Sequence, residues 1–303
     1  MTAKGREAVR RIIRRLLPCL ALAGLAACVG PQLARAGPER VVSMNLCTDH
    51  LLLQLADRAQ LASLTVLAPQ LFPEGMGAEV AALAAEGLPL NQGLAEEVLP
   101  LNPDLVVTGI FSRRQAVAFL RRQGVEVVDV RHSESLEDVA ENVKIVAALL
   151  GQTARGEARI HAFWSRLAAL MPEPSDTQAP SVALLTAGLY VRGRETLLGD
   201  AIAAAGLRNK AGDWGIDSIG QVSLEQLVAD PPDALAIGLD PGAPPSLQGG
   251  LLRHPAVLAL LADRPTIQIP SDLWTCGTPD VVEAVAQLRA LRDDLVQAAR
   301  TGR

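Results

Sequence analysis

Leu94-Ala95-Glu96-Glu97-Val98-Leu99-Pro100-Leu101-Asn102-Pro103-Asp104-Leu105-Val106-Val107 is answered later in the chain by Ser223-Leu224-Glu225-Gln226-Leu227-Val228-Ala229-Asp230-Pro231-Pro232-Asp233-Ala234-Leu235-Ala236. Each copy reads as a short acidic helix, a Pro-Asp turn and an apolar run. An apolar run without polar alternation, such as Leu105-Val106-Val107-Thr108-Gly109, is the pattern of a strand covered on both faces. The repeat implies two lobes of one α/β plan.

The same alternation extends outward from each copy. Strands are predicted at Arg40–Met44, Leu61–Val66 and Val125–Val130 around the first. Others are predicted at Ser181–Leu185, Leu235–Leu239 and Thr266–Ile269 around the second. Leu51, Leu52, Leu55 and Ala56 recur at helical spacing, with Thr48 or Asp49 as the expected cap. Further helices are predicted over Gly77–Ala85, Arg113–Gln123, Leu198–Ala205, His254–Leu261 and Pro279–Ala299, and Pro69–Gly77 reads as a loop. Two long helices lie between the copies. Ser135–Leu150 opens with the capping-box pattern Ser135-Leu136-Glu137-Asp138, and Gln152–Leu170 ends before Pro172. The Pro-rich run Pro172–Pro180 is the clearest boundary. The expected organisation is an N-terminal lobe over 37–150, a linking helix over 151–172 and a C-terminal lobe over 173–303.

Residues 1–36 read as an export signal. Lys4, Arg6, Arg10, Arg11, Arg14 and Arg15 precede an apolar run from Leu16 to Val29, and Ala34-Arg35-Ala36 is a small-x-small cleavage site. Leu25-Ala26-Ala27-Cys28 also resembles a bacterial lipobox, so cleavage after Ala36 and a lipid anchor at Cys28 are both open. This segment holds seven Lys/Arg against one Glu. The chain's net charge of −5 therefore leaves −11 on residues 37–303. An acidic surface argues against nucleic acid as a partner.

No Gly-x-Ser-x-Gly, His-Glu-x-x-His or Walker pattern occurs, so no enzyme activity and no cofactor are expected. Beyond the signal the chain has two cysteines, Cys47 and Cys276. A disulfide, a paired-thiolate site for a soft metal and two small buried residues are all compatible with them. The four histidines do not converge in sequence with carboxylates as a bare Zn²⁺ or Mn²⁺ site would want.

Four segments carry a resemblance. They are Arg40-Val41-Val42-Ser43-Met44-Asn45-Leu46-Cys47-Thr48-Asp49, the doubled acidic-helix unit, Gly188-Leu189-Tyr190-Val191-Arg192-Gly193-Arg194-Glu195-Thr196-Leu197, and Ser271-Asp272-Leu273-Trp274-Thr275-Cys276-Gly277-Thr278-Pro279. In this order the chain resembles the periplasmic solute-binding proteins of iron-chelate and vitamin B12 (cobalamin) ABC importers over residues 38–300. The resemblance implies two Rossmann-like lobes joined by one long helix, the class III periplasmic binding protein fold. It implies a monomeric periplasmic protein that captures a corrinoid or ferric chelate and delivers it to an ABC permease dimer with its ATPase. A ligand sensor, or a haem or soft-metal binder, on the same fold is the alternative. It further implies that Glu96 and Glu225, one per lobe, dock on the permease. The corresponding segments of the vitamin B12-binding protein lack both cysteines, a departure that bears on the cargo.

Ligands of open α/β lobes sit beyond the carboxyl ends of the strands. This rule nominates Asn45, Leu46, Cys47, Thr48, Gln92 and Phe111 on one lobe. On the other it nominates Tyr190, Arg192, Trp214, Trp274 and Cys276. Aromatics are only 3% of the chain, yet four of them fall on these turns, where a flat ligand would use their faces. Arg113, Arg114, Arg192 and Arg194 are candidates to offset an anionic chelate.

Overall fold

The computed structural model describes residues 37–172, 179–238 and 250–301. The expected signal at 1–36, the lipidation site at Cys28, most of the loop expected at 172–180 and Leu239 lie outside the described residues.

The N-terminal lobe is a five-stranded parallel sheet. Its strands are β1 (Val41–Ser43), β2 (Leu61–Thr65), β3 (Leu90–Asn91), β4 (Leu105–Gly109) and β5 (Val127–Val130), in the order β3-β2-β1-β4-β5. The C-terminal lobe has a parallel sheet of β6 (Ser181–Leu185), β8 (Arg208–Asn209), β10 (Ala234–Ile237) and β11 (Thr266–Gln268), in the order β11-β10-β6-β8. A separate antiparallel pair, β7 (Tyr190–Arg192) with β9 (Ile219–Gln221), accompanies it. Both parallel sheets reverse their strand order beside their first strand, β1 or β6. These are the switch points where clefts open.

The repeat has a structural meaning beyond its helix and strand. Asp104, in the first Pro-Asp turn, accepts hydrogen bonds from the backbone N–H of Glu39 (2.8 Å) and Arg40 (3.0 Å), at the entry to β1. Asp233, in the second, accepts from the backbone N–H and Oγ of Ser181, each at 2.7 Å, at the start of β6. Each carboxylate thus pins the first strand of its lobe to its neighbour. Burial raises the Asp233 pKa, but the Ser181 bonds and the positive charges of Arg208 and Arg264 outweigh it and hold the group below the usual carboxylate value. Asp233→Ala is expected to cost about 1–3 kcal/mol, the penalty for an unpaired buried donor. A urea midpoint that falls with an unchanged m-value checks this.

The helices are α1 (Leu46–Leu55), α2 (Leu67–Leu71), α3 (Met76–Ala85), α4 (Ala95–Val98), α5 (Arg114–Arg122), α6 (Leu136–Leu149), α7 (Thr153–Leu170), α8 (Leu197–Ala204), α9 (Leu224–Ala229), α10 (Pro255–Asp263), α11 (Asp272–Thr275) and α12 (Val281–Thr301). Two local expectations are corrected. The cap of α1 is Asn45, not Thr48 or Asp49: its extended backbone lets Oδ1 accept from the Cys47 N–H at 2.8 Å. The loop expected at Pro69–Gly77 begins with α2, because Pro69 falls in the first turn, where its missing N–H costs nothing. The predicted capping box at Ser135 forms, with Ser135 Oγ accepting from the Asp138 N–H and Asp138 accepting from the Ser135 N–H.

Helix α7 falls within the expected link, and α6 beside it also reaches both cores. Leu136 and Val139 of α6 pack with Leu184, Leu198 and Val285 of the C-terminal lobe. Val143 and Val146 of the same helix and its C-cap Leu150 pack with Leu51, Leu52 and Val107 of the N-terminal lobe. Phe163 and Leu167 of α7 enter the C-terminal core, while Ile160 packs on the N-terminal one. Gly156 permits this close crossing, since a Cβ there would lie 2.4 Å from the Ala147 Cβ. No helix among the described residues is long and apolar enough to cross a membrane.

Candidate functional site

The carboxyl ends of β1 and β4 form one wall of a cavity of about 420 Å³ between the lobes. Asn45 and Phe111 stand on this wall. The close passage of β4 is set by Gly109, where a Cβ would sit 3.2 Å from the Asn45 Cγ. Ser112 Oγ donates to the Met44 carbonyl (3.2 Å) and ties the β4 turn to the β1 turn. Thr48 also touches the cavity, but its hydroxyl is engaged with Ser43 Oγ (2.6 Å) and the Asn45 carbonyl (2.9 Å). It positions the wall rather than offering a ligand contact.

The opposite wall comes from β7, the start of α8 and the segment 272–280. Arg192 lies half-buried with its guanidinium 5.4 Å from the centre of the Trp274 ring, a cation–π stack. Burial draws its pKa below the usual guanidinium value, yet an arginine stays charged in this setting. Among the described residues no carboxylate pairs with it. The cavity therefore presents a desolvated, unpaired cation laid flat on an indole, a ready partner for an anionic group on a flat ligand.

Eight of the eleven nominated residues line this one cavity: Asn45, Leu46, Cys47, Thr48, Phe111, Arg192, Trp274 and Cys276. Three do not. Trp214 is a correction: it is buried in a second C-terminal core with Leu185, Leu227 and Leu235, and its Nε1 donates to the Asp230 carbonyl at 3.2 Å. Tyr190 is exposed on β7 away from the cavity wall. Gln92 is exposed, with its backbone N–H given to Glu97 at 2.7 Å. Of the other candidate arginines, Arg194 pairs with Asp217 (2.9 Å), and Arg113 and Arg114 lie off the cavity wall.

Several wall residues escaped the sequence reading. Arg131, His132 and Ser133 follow the carboxyl end of β5, so the rule that nominated Phe111 applies to them as well. The His132 ring meets the Phe111 ring edge-on at 6.3 Å. Phe111 is 81% exposed, and Ile110 and Ile219 are each more than half exposed. A chain with 3% aromatics thus leaves a large apolar face open at its cleft, a mark of a binding site. Ile219 carried no signal, because its strand is three residues long and contains Gly220.

Cys47 and Cys276 are joined by a disulfide with a Cα–Cα distance of 4.6 Å. Of the three readings open for the pair, the structure selects the bridge, which links the lobes at the cavity wall. No group of three or more His, Cys, Asp or Glu is arranged to hold a metal ion among the described residues.

Residues 41–256 match the family described as periplasmic binding protein. A cobalamin-binding protein of Halobacterium salinarum is 30% identical over 205 residues, covering 67% of this chain and 54% of the relative. The chain thus matches about half the length of that relative. Among solved structures, the periplasmic heme-binding protein RhuT from Roseiflexus sp. RS-1, in apo form, superposes with a TM-score of 0.68 at 26% identity, covering 86% of this chain and 99% of that one. The vitamin B12 binding protein BtuF of Vibrio cholerae shares the fold, with a TM-score of 0.62 at 17% identity over 85% of this chain and 98% of that one. Parallel sheets in two lobes, a cavity between them and a family match over most of the chain lead to one assignment: the chain belongs to the periplasmic binding protein family.

Proposed function

We propose that this protein is the solute-binding component of an ABC importer, and that its cargo is a flat metal chelate, a corrinoid before a ferric chelate. The observation that carries the reading is the pairing of Arg192 on Trp274 against the exposed Phe111 across one interlobe cavity. Aromatic and apolar faces suit a macrocycle, and the Arg192 guanidinium suits an acidic substituent or an anionic chelate. The chelator supplies the metal's ligands, so the wall needs no metal-binding cluster of its own. The lobes are 37–150 and 173–303, linked through 151–172, and the protein acts as a monomer in the periplasm.

A second reading, haem as cargo, is favoured by His132. Its imidazole lies on the cavity wall beside Phe111 and has no hydrogen-bond partner among the described residues. A neutral imidazole is a competent axial ligand for a porphyrin iron. Titration of residues 37–303 with cobalamin, cobinamide, hemin and ferric siderophores, followed by tryptophan quenching, tests both readings. One-to-one saturation by a corrinoid supports the first. Saturation by hemin alone supports the second. Binding of no member removes the chelate reading.

Delivery requires a partner. Glu96 and Glu225 are exposed in the first turns of α4 and α9, the equivalent helices of the repeat. One acidic point per lobe matches a permease dimer with its ATPase. The double variant Glu96→Arg, Glu225→Arg is expected to leave cargo affinity unchanged and to abolish stimulation of the reconstituted transporter's ATPase. Full stimulation by that variant would place the docking surface elsewhere.

A further inference from the structure

We propose that the Cys47–Cys276 disulfide is a positioning element of the ligand site: it fixes the strap 272–280 on the N-terminal lobe, so that Trp274 is held against the cleft in its binding position. This deepens the reading above and rests on it for the identity of the cargo.

The backbone joins the lobes once, through α6 and α7. Bodies with one connection can rotate about many axes. A second covalent link restricts them to rotation about the line through both connections. The disulfide is that second link, 229 residues apart in sequence and set in the cavity wall. Cys47 lies in the first turn of α1, and Cys276 follows α11 directly.

The strap touches the N-terminal lobe at further points. His50 Nε2 and Gln54 Nε2 of α1 meet Asp280 Oδ2 at 2.9 and 2.7 Å. At Gly277, with φ +57°, a Cβ would lie 2.4 Å from the Ser133 Cβ, so the chain passes directly over the turn that follows β5. At Gly75 a Cβ would fall 2.7 Å from Asp272 Oδ2. These polar contacts are partly solvated or depend on close apposition, and none is covalent. Trp274 lies two residues before Cys276, its ring packed in the C-terminal core and under Arg192. The bond at Cys276 therefore sets how close that ring stands to the N-terminal wall. A cross-link does so at little entropic cost at the moment of binding, because the restriction is already present in the free protein.

The bond is also open to test because it lines the cavity. A dithiol such as dithiothreitol reduces it in a two-electron exchange. The reductant's thiolate attacks one sulfur, the mixed disulfide resolves within the reductant, and the protein gains two thiols while the reductant becomes a cyclic disulfide. Cargo seated on Trp274 covers the sulfurs and slows that attack.

The test compares the oxidised protein, the protein reduced with dithiothreitol and the double variant Cys47→Ser, Cys276→Ser. Reduction followed by reoxidation covers the case in which the variant fails to fold. Hydrogen exchange without ligand is read in peptides spanning 271–280 and 45–50. Affinity is read with cobinamide and hemin. The expected results are exchange in the strap about tenfold faster on reduction, with core strands unchanged, and affinity about tenfold weaker and restored by reoxidation, as loss of preorganisation requires. Bound probe is expected to slow reduction. A disulfide that served stability alone would lower the melting temperature and leave strap exchange and affinity as they were, and that result overturns the proposal. Should neither probe bind, the cargo reading fails, while strap exchange still decides for or against the brace.

Discussion

Trp274→Ala is expected to weaken cargo binding by about two orders of magnitude and to destabilise the protein by about 3–5 kcal/mol, the range for truncating a buried large aromatic. Both effects come from the double position of this residue. It is 6% exposed and packs in the main C-terminal core with Leu184, Ile269 and Val281. It is also a wall of the cavity and the platform for Arg192. Truncation removes core volume, leaves a void and releases the guanidinium from its stack, itself worth roughly 0.5–2 kcal/mol. Trp274→Phe separates the two roles. The indole Nε1 is buried without a partner among the described residues, so phenylalanine loses no hydrogen bond and removes an unsatisfied donor. It retains a ring face for Arg192 and for the ligand. Phe is therefore expected to keep most of the binding and to cost far less stability than Ala. Calorimetric melting and quenching titrations measure the two effects. An alanine variant that is folded at the titration temperature and binds as tightly as the parent would remove Trp274 from the site.

How much of this was legible depends on which physical signal each residue carried. The repeat around Asp104 and Asp233 was readable because one task, pinning the first strand of a lobe, imposed the same local chemistry twice. The longer parallel strands were readable from their apolar runs, whereas the two-residue strands β3 and β8 carried no such run and were not foreseen. The rule that ligands lie beyond strand ends nominated Asn45, Phe111, Arg192 and Trp274, which line the cavity, because it depends on topology rather than on side-chain direction. It failed where direction decides. Trp214 precedes Gly215, whose φ of +75° marks a true turn, but the indole folds inward beneath that turn to Asp230. Nothing local distinguishes an inward from an outward tryptophan. The β7–β9 pair was invisible for another reason. Strands of three residues carry no period, and pairing across 190–192 and 219–221 is a long-range fact. The cysteines were seen on facing turns, but only the Cα separation of 4.6 Å turns facing into bonded.

Stability of the native chain is expected to fall as pH rises from about 4 to about 6, and Asp49→Asn is expected to abolish that slope. Asp49 is fully buried beneath the cleft, in the first turn of α1. Burial is the largest influence on its carboxyl and pushes it up to about 6, against the opposing pull of hydrogen bonds from Ser43 and Thr65 and of the His50 charge. The folded protein thus binds a proton that the unfolded chain, with an ordinary value of 3.8, has released. The favourable contribution is complete below about pH 4 and is lost as pH rises through the folded value. Across this window it amounts to about 3 kcal/mol. Asparagine keeps an oxygen for the Thr65 N–H, which now donates to Asp49 at 3.1 Å, and it carries no charge to desolvate. The variant should therefore match the parent near pH 4 and exceed it near pH 7. Urea melts at intervals from about pH 4 to about pH 7.5 give the comparison directly. If the asparagine protein is the weaker one at pH 7, the ionised carboxylate is net stabilising through its Thr65 contacts, and burial is not the dominant influence. The outcome bears on the site as well, because α1 also carries Cys47 and His50. The strap is bonded to a helix that is tied to β2 by this acid as well as by Leu51, Leu52 and Leu55.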